Sequence, residues 1–164
     1  MVSFEAQRIK TTIVILKMKS KIYTIGYEKK SIKEFVNILI NSNVKILIDV
    51  REKAWSYKRD FCKTRFSKSL QEKGIIYIHV KEAGNPKEIR KLNTSLQHRL
   101  HVYKQYLHKT KSGVDELESI ILGANLMGES ICLTCYEKEH VNCHRNAIVD
   151  LIKNTFENIK IQHL

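Results

Sequence analysis

The segment Lys45-Ile-Leu-Ile-Asp-Val50 is apolar at nearly every position and rich in β-branched residues. A strand with one face in water alternates apolar and polar residues, whereas a continuous apolar run is typical of a strand covered on both faces, as in a parallel sheet. Residues 22–26, 75–80 and 131–135 share this pattern. The sequence therefore predicts four strands of a mainly parallel sheet.

Helical patterns lie between these strands. Ser31 and Glu34 have the spacing of a capping box, and the apolar residues that follow predict an amphipathic helix ending near Asn41. Residues 67–73, followed by Gly74, predict a second helix with its C-terminal glycine.

Further helices are predicted in the second half of the chain. Asn85 and Pro86 predict a helix start, with asparagine as the cap. Helical spacing of apolar residues also covers the segments 96–109, 114–127 and 144–156. Since strands alternate with helices, we predict an α/β fold: a single domain over residues 21–164 with a mainly parallel sheet flanked by helices.

The length and apolar content set limits on the class of protein. A chain of 164 residues can build one hydrophobic core. Residues 1–20 are basic and show no strand or helix pattern, so we interpret them as an N-terminal extension or an over-long start. No apolar stretch approaches the roughly 20 residues that cross a bilayer. We therefore expect a cytoplasmic protein with no membrane partner.

Positive charge is concentrated in two segments. The chain has a net charge of +12; residues 51–73 hold eight basic and three acidic side chains, and residues 87–111 hold seven and one. Clustered lysine and arginine favour a polyanion, because neutralising phosphates releases condensed counterions. The predicted partner is nucleic acid, with DNA as the first choice. A solvated, lysine-rich surface without a polyanionic partner has the same composition and remains the alternative.

The four cysteines offer a metal hypothesis that local geometry argues against. A zinc site would use Cys132 and Cys135 with Cys143 or His144. Cys132 and Cys135 lie in a predicted strand, however, where positions three apart point to opposite faces. We therefore predict neither a metal site nor a cofactor, and we interpret Cys132 as a core residue.

Ligands of open parallel sheets bind beyond the carboxyl ends of the strands. In this sequence those ends are followed by polar or glycine residues, so we expect a polar cluster at one edge of the sheet. The predicted pocket residues there are Gly26, Tyr27, Glu82 and Cys135.

Four short motifs at these strand ends resemble a known family. They are Thr24-Ile-Gly-Tyr27, Asp49-Val-Arg51, Cys135-Tyr-Glu137 and Cys143-His-Arg145, and together they resemble the domain of unknown function 488 family over residues 22–152. Two positions differ: the family often has histidine at Tyr27 and proline at His140. The resemblance implies a basic α/β protein, and some archaeal members are similar to DNA glycosylases that act on oxidised pyrimidines such as 5-hydroxyuracil.

A glycosylase extrudes its target base and stabilises the positive charge that develops on the sugar. A carboxylate suits that task, and Asp49 is the first choice with Glu137 as the second. The alternative is that these carboxylates form structural ion pairs, Asp49 with Arg51 and Glu137 with Arg145.

Residues with nucleic-acid-binding chemistry cluster after the second predicted strand. Arg51 and Arg145 have the planar guanidinium that holds a phosphate. Aromatic residues alternate here with basic ones, which is typical of surfaces that stack bases, although aromatics in such a segment are more often core residues. We expect at most two of these aromatics to be exposed, with Trp55 the first choice. The segment contains Trp55, Tyr57, Phe61 and Phe66 together with Lys53, Lys58, Arg59, Lys63 and Arg65.

Two other functions remain open. Cys143 and His144 at a helix start suggest a thiolate enzyme of sulfur or phosphoryl transfer, because a helix N-terminus lowers a thiol pKa. Arg145 follows Cys143 too closely for a phosphate-binding loop that places arginine about six residues after the nucleophile. A non-catalytic nucleic-acid-binding module explains the charge but gives the carboxylates and the Cys-His-Arg motif no role.

Overall fold

A computed structural model describes residues 21–156 and 159–164, so the predicted extension over residues 1–20 lies outside the described residues. The described strands form one sheet in which every neighbouring pair is parallel, in the order β3-β2-β4-β1-β5. This confirms the predicted α/β class with a parallel sheet. The strands are β1 (Lys21–Gly26), β2 (Ile46–Asp49), β3 (Ile76–His79), β4 (Ile131–Cys135) and β5 (Lys160–His163).

Helices cover both faces of the sheet. In chain order they are α1 (Ile32–Asn41), α2 (Lys63–Gln71), α3 (Lys87–Arg90), α4 (Leu96–Thr110), α5 (Ser112–Leu126) and α6 (Arg145–Thr155). The apolar residues of α1 and α2 pack in one core, and those of α4, α5 and α6 pack in the other. The molecule therefore has three layers with the sheet in the middle.

The two cores follow from the alternation of side chains along each strand. Leu47 of β2 packs against α1 and α2, whereas Ile46 and Ile48 on either side of it face the other core. Cys132 and Cys135 of β4 are divided in the same way, which confirms that they lie on opposite faces.

The capping box predicted at the start of α1 is present. The Glu34 backbone amide donates to Ser31 Oγ at 3.3 Å, and the Ser31 amide donates to Glu34 Oε2 at 2.7 Å. Both bonds satisfy amides that a helix start leaves without partners. The predicted end at Asn41 is also confirmed.

Four details differ from the sequence-based expectations. Helix α2 begins at Lys63 rather than residue 67, and α3 is a single turn capped by Pro86 rather than Asn85. Strand β3 is an edge strand with Ile76 more than half exposed, so it is not covered on both faces. Strand β5 was not predicted, because Lys160–His163 is mostly polar and lies at the other edge.

No helix within the ranges that the structure describes is both long and apolar enough to cross a membrane.

Strand order brings the functional motifs together. Strand β4 lies between β1 and β2; Gly26 is level with Cys135, and Asp49 is level with Thr134. Parallel strands end at the same edge of a sheet, so the segments that leave β1, β2 and β4 meet there.

Candidate functional site

An open cavity of about 480 Å³ lies at this carboxyl edge of the sheet. The loop after β2 contributes most of residues 51–58, and the turn after β3 contributes Asn85. The end of β4 supplies residues 135–137, and His144 lies at the start of α6. The volume falls within the roughly 300–1,000 Å³ that is typical of small-molecule sites.

Four side chains with metal-binding or nucleophilic chemistry meet at the cavity floor. One donor atom from each of Cys135, Glu137, Cys143 and His144 lies within 4.8 Å of the others. The Cys135 thiol donates to Glu137 Oε2 at 3.2 Å and lies 3.5 Å from His144 Nδ1. Cys143 Sγ lies 3.8 Å from the same nitrogen but does not line the cavity.

The His144 ring is fixed by the backbone. Its Nε2 lies 2.8 Å from the carbonyl oxygen of Val50, and since a carbonyl only accepts, Nε2 carries the proton and donates. Nδ1 therefore faces the two sulfur atoms. Tyr103 of α4 packs against the imidazole with the two rings nearly perpendicular.

Cys143 lies at the base of the site, and the pKa of its thiol is lowered. Burial opposes its ionisation, but hydrogen bonding from Cys135 and the charges of His144 and Arg145 hold the pKa of the Cys143 thiol well below its usual value. Arg145 donates to Cys143 Sγ from Nε at 3.3 Å. Burial lowers the pKa of His144, but the charge and hydrogen bond of Cys143, the Val50 carbonyl and the charge of Glu137 together raise it above its usual value.

Glu137 and Cys135, which line the cavity, have raised pKa values. Burial, followed by the neighbouring Cys143, raises the pKa of Glu137 above its usual value. Burial also raises the pKa of the Cys135 thiol, which sits beside Cys143 and Glu137. The floor thus presents the Cys135 thiol and the Glu137 carboxyl group to the cavity, with the Cys143 sulfur behind them.

Asp49, the predicted catalytic carboxylate, lies in a buried ion pair. It is fully buried, and its two oxygens accept from Arg51 Nε at 2.8 Å and Arg51 Nη2 at 2.6 Å. The Tyr77 hydroxyl also donates to it at 2.6 Å, and burial followed by Asp49 raises the pKa of that phenol. Asp49 does not line the cavity, so the expectation that it faces a substrate is wrong, and the alternative of a structural ion pair describes what is observed.

The two arginines predicted to hold phosphate are also committed inside the protein. Arg51 is 6% exposed; besides Asp49, it donates to the Tyr27 hydroxyl and the Phe61 carbonyl. Arg145 is 1% exposed and donates to the Glu137 carbonyl at 2.5 Å. Arg51 lines the cavity and Arg145 does not, and both guanidinium groups are bonded to protein atoms, which argues against their predicted role of holding phosphate.

The predicted Glu137–Arg145 pair takes a different form. Arg145 holds the Glu137 backbone carbonyl, while the Glu137 carboxylate turns to Cys135. This arrangement leaves the carboxylate at the cavity floor, where it lines the space that a ligand enters.

The cavity rim is aromatic and cationic. Trp55 is 59% exposed and Tyr57 93% exposed, and their rings contact each other with centroids 4.7 Å apart. Phe61 and Phe66 are buried in the core, which confirms the expectation that at most two of the four aromatics are exposed. We call Trp55 and Tyr57 the aromatic ridge.

Basic side chains lie on both sides of the aromatic ridge. Lys53, Lys58 and Arg90 line the cavity, and Arg59 and Arg65 line a second, slightly more open hollow that shares the ridge. The Lys58 ammonium donates to the carbonyl oxygens of residues 27 and 30, and Arg90 pairs with Glu52 at 2.6 Å. Lys63 is exposed at the start of α2 and lines neither hollow.

Asn85 supplies a polar group that sequence reasoning missed. Its side chain is 8% exposed and lines the cavity, and its Oδ1 has no hydrogen-bond partner among the described residues. A buried polar atom without a partner is costly, so the Asn85 side chain is a candidate for contact with a ligand in the cavity that it lines. In the sequence, the pair Asn85-Pro86 predicts a helix start and gives no signal for a cavity contact.

Of the four predicted pocket residues, two line the cavity and two do not. Tyr27 and Cys135 line the cavity as expected. Glu82 is exposed on a turn outside it, and Gly26 lies beneath the Glu137 backbone rather than on the cavity wall. The prediction that these two residues form the pocket is therefore wrong.

The fold and the site together define an α/β protein with an open cavity at the carboxyl edge of its sheet, where the segments that follow β1, β2 and β4 meet. The model of a family described as a domain of unknown function, DUF488, matches residues 31–152. Since the match covers most of the chain, this chain belongs to that family. No curated protein and no solved structure matches the chain.

Proposed function

We propose that the chain binds nucleic acid, draws one nucleotide into the cavity and hydrolyses the N-glycosidic bond of a damaged pyrimidine such as 5-hydroxyuracil. One observation carries the proposal: the unpartnered Asn85 side chain lines a cavity whose mouth bears exposed aromatic rings and basic side chains. Proteins that bind single strands or flipped bases combine these three features.

The rim supports binding of an extended strand. Exposed tryptophan and tyrosine side chains offer stacking surfaces, and each stacked base contributes about 1–3 kcal/mol. The cations on both sides of the aromatic ridge supply phosphate contacts along a path through the cavity mouth. Arg51 and Arg145 play no part in this path, because both are bonded inside the protein.

Asn85 supports recognition of a base rather than of phosphate alone. Its Oδ1 is an acceptor, and the imide N–H of a uracil-type base is a donor that single-stranded or flipped bases expose. A site built to hydrogen-bond an N–H group discriminates against ligands that lack it, because its own buried atom is then left unpaired.

Glu137 supports hydrolysis at this position. It is the carboxylate at the cavity floor, whereas the other lining carboxylate, Glu52, is paired with Arg90 at the rim. In the proposed reaction the base leaves with the electrons of the glycosidic bond and takes a proton from solvent, while a water molecule adds its oxygen to the sugar carbon. Glu137 stabilises the cationic sugar and takes the proton of that water.

A lesion assay tests the proposed activity. Duplexes carrying 5-hydroxyuracil, uracil or hypoxanthine, incubated with the protein and a chelator, are expected to yield abasic sites that alkali cleaves. Glu137→Gln is expected to lower the excision rate by about 10²–10⁴-fold, the usual contribution of such a group. Glu82→Gln is the matched control, because Glu82 is an exposed carboxylate outside the cavity. Failure of the wild-type protein on every lesion rejects base excision.

Nucleic-acid binding is tested separately with a single-stranded oligonucleotide. Lys53→Ala is expected to reduce the slope of log K against log salt by about 1, as one phosphate contact is lost. Lys73→Ala should leave the slope unchanged. Lys73 is exposed and precedes β3, so it lies near the amino ends of the strands, whereas the cavity lies at their carboxyl ends. Equal slopes for both variants would show that the cavity rim is not the binding surface.

A further inference from the structure

We infer that the floor of the cavity is a zinc site whose ligands are Cys135 Sγ, Cys143 Sγ and His144 Nδ1, with the Glu137 carboxylate as the fourth donor. These four groups bring one donor atom each to within 4.8 Å of the others. The set combines two sulfurs with one imidazole nitrogen and one oxygen, which suits a tetrahedral divalent zinc ion.

The distances agree with tetrahedral coordination. Bonds of about 2.3 Å to sulfur and about 2.0 Å to nitrogen place these two atoms about 3.5 Å apart around one zinc ion. The observed separations from His144 Nδ1 are 3.5 Å to Cys135 and 3.8 Å to Cys143. Both sulfur atoms therefore lie close to the separation from Nδ1 that one zinc ion requires, and all four donors lie within 4.8 Å of one another.

The groups around the donors are arranged as in metal sites. A ligating histidine donates its other ring N–H to a carbonyl or carboxylate, which fixes the ring, and His144 donates Nε2–H to the Val50 carbonyl at 2.8 Å. Arg145 is buried and donates to Cys143 Sγ at 3.3 Å. A zinc ion with two thiolates and one carboxylate carries one net negative charge, and the Arg145 guanidinium offsets it.

The backbone explains why this set forms although Cys132 is excluded. Cys132 lies on the opposite face of β4, in the other core. Glu137 supplies the fourth donor instead of Cys132. Strand β4 ends at Cys135, and Arg145 donates to the Glu137 carbonyl in the segment that follows. Cys135, Glu137 and His144 line the cavity, so an ion has an entry path.

Cobalt substitution tests the site on the full chain under reducing conditions. We expect one Co²⁺ per chain with thiolate charge-transfer absorption and the intense visible bands of a tetrahedral site, displaced on addition of zinc. Cys135→Ser is expected to abolish the charge-transfer and tetrahedral signal, and Cys62→Ser and Cys132→Ser are expected to retain it. All variants are compared at equal helix content by circular dichroism.

A second variant keeps the test decisive if Cys135→Ser does not fold. Glu137→Gln changes a side chain that lines the open cavity, and it is expected to weaken zinc affinity and to alter the visible bands of bound cobalt. The spectrum of hydrated Co²⁺ alone in the wild-type protein, or an equal loss of signal in Cys132→Ser, overturns the proposal.

The zinc inference does not depend on base excision. It is measured by spectroscopy and stoichiometry, whereas excision is assayed with a chelator present, so either proposal can fail alone. If both hold, zinc occupies the Glu137 carboxylate, and added zinc is expected to suppress excision while oligonucleotide binding persists.

Discussion

Asp49→Asn is expected to destabilise the fold by about 3–5 kcal/mol, the usual cost of leaving one partner of a buried ion pair without its counter-charge. Asp49 is fully buried, and Arg51 would keep its charge beneath the cavity with only a neutral amide beside it. The Tyr77 hydroxyl would also lose its charged acceptor. Urea denaturation followed by circular dichroism measures the change in the free energy of unfolding.

Asp60→Asn provides the matched control. Asp60 pairs with Arg65 at 3.9 Å, and the two side chains are 59% and 62% exposed. Surface pairs of this kind contribute little, so a change within about 0.5 kcal/mol is expected. If Asp49→Asn is as mild as Asp60→Asn while retaining the wild-type fold, the ion pair does not stabilise the site as described.

Gly26→Ala is expected to have the second large effect, through a backbone contact. A β-carbon at Gly26 would lie 1.8 Å from the Glu137 carbonyl oxygen and 2.5 Å from its carbon, so the segment after β4 must move. The cost is at least that of overpacking a core, about 1–3 kcal/mol. Because that segment carries Glu137, we also expect weaker zinc binding and slower excision.

Gly123→Ala separates this contact from the general effect of replacing glycine. Gly123 lies within α5, and a β-carbon there meets nothing within 4 Å. Alanine is the better helix former, so stabilisation of about 0.5–1 kcal/mol is expected. Thermal melts of both variants make the comparison; a Gly26→Ala protein as stable as Gly123→Ala would contradict the close approach to Glu137.

The central strands and α1 could be predicted because their signals are local. Residues 46–49 are buried on both faces, and a continuous apolar run follows directly from that burial. The capping box at Ser31 likewise determines a helix start by itself. The start of α2 carries no such signal, since Cys62 makes no side-chain cap, and β5 pairs with β1 through a segment of mostly polar residues.

The location of the site could be predicted from the sequence, but the roles of its residues could not. The rule for parallel sheets correctly gathers Cys135, Glu137 and His144 at one edge. Which carboxylate faces the cavity depends on where Arg51 and Arg145 turn, and sequence spacing does not contain that information. The same holds for Asn85, whose side chain enters the cavity only because of the turn after β3.

The emission of Trp55 tests the central claim most directly, since it is the single tryptophan of the chain and lies at the mouth of the cavity. Titration with a single-stranded oligonucleotide is expected to quench this fluorescence in a saturable manner, with an apparent affinity that falls steeply as salt is raised. Unchanged emission at concentrations where mobility shifts show a complex would mean that nucleic acid binds elsewhere. Absence of both signals at low salt would contradict nucleic-acid binding itself.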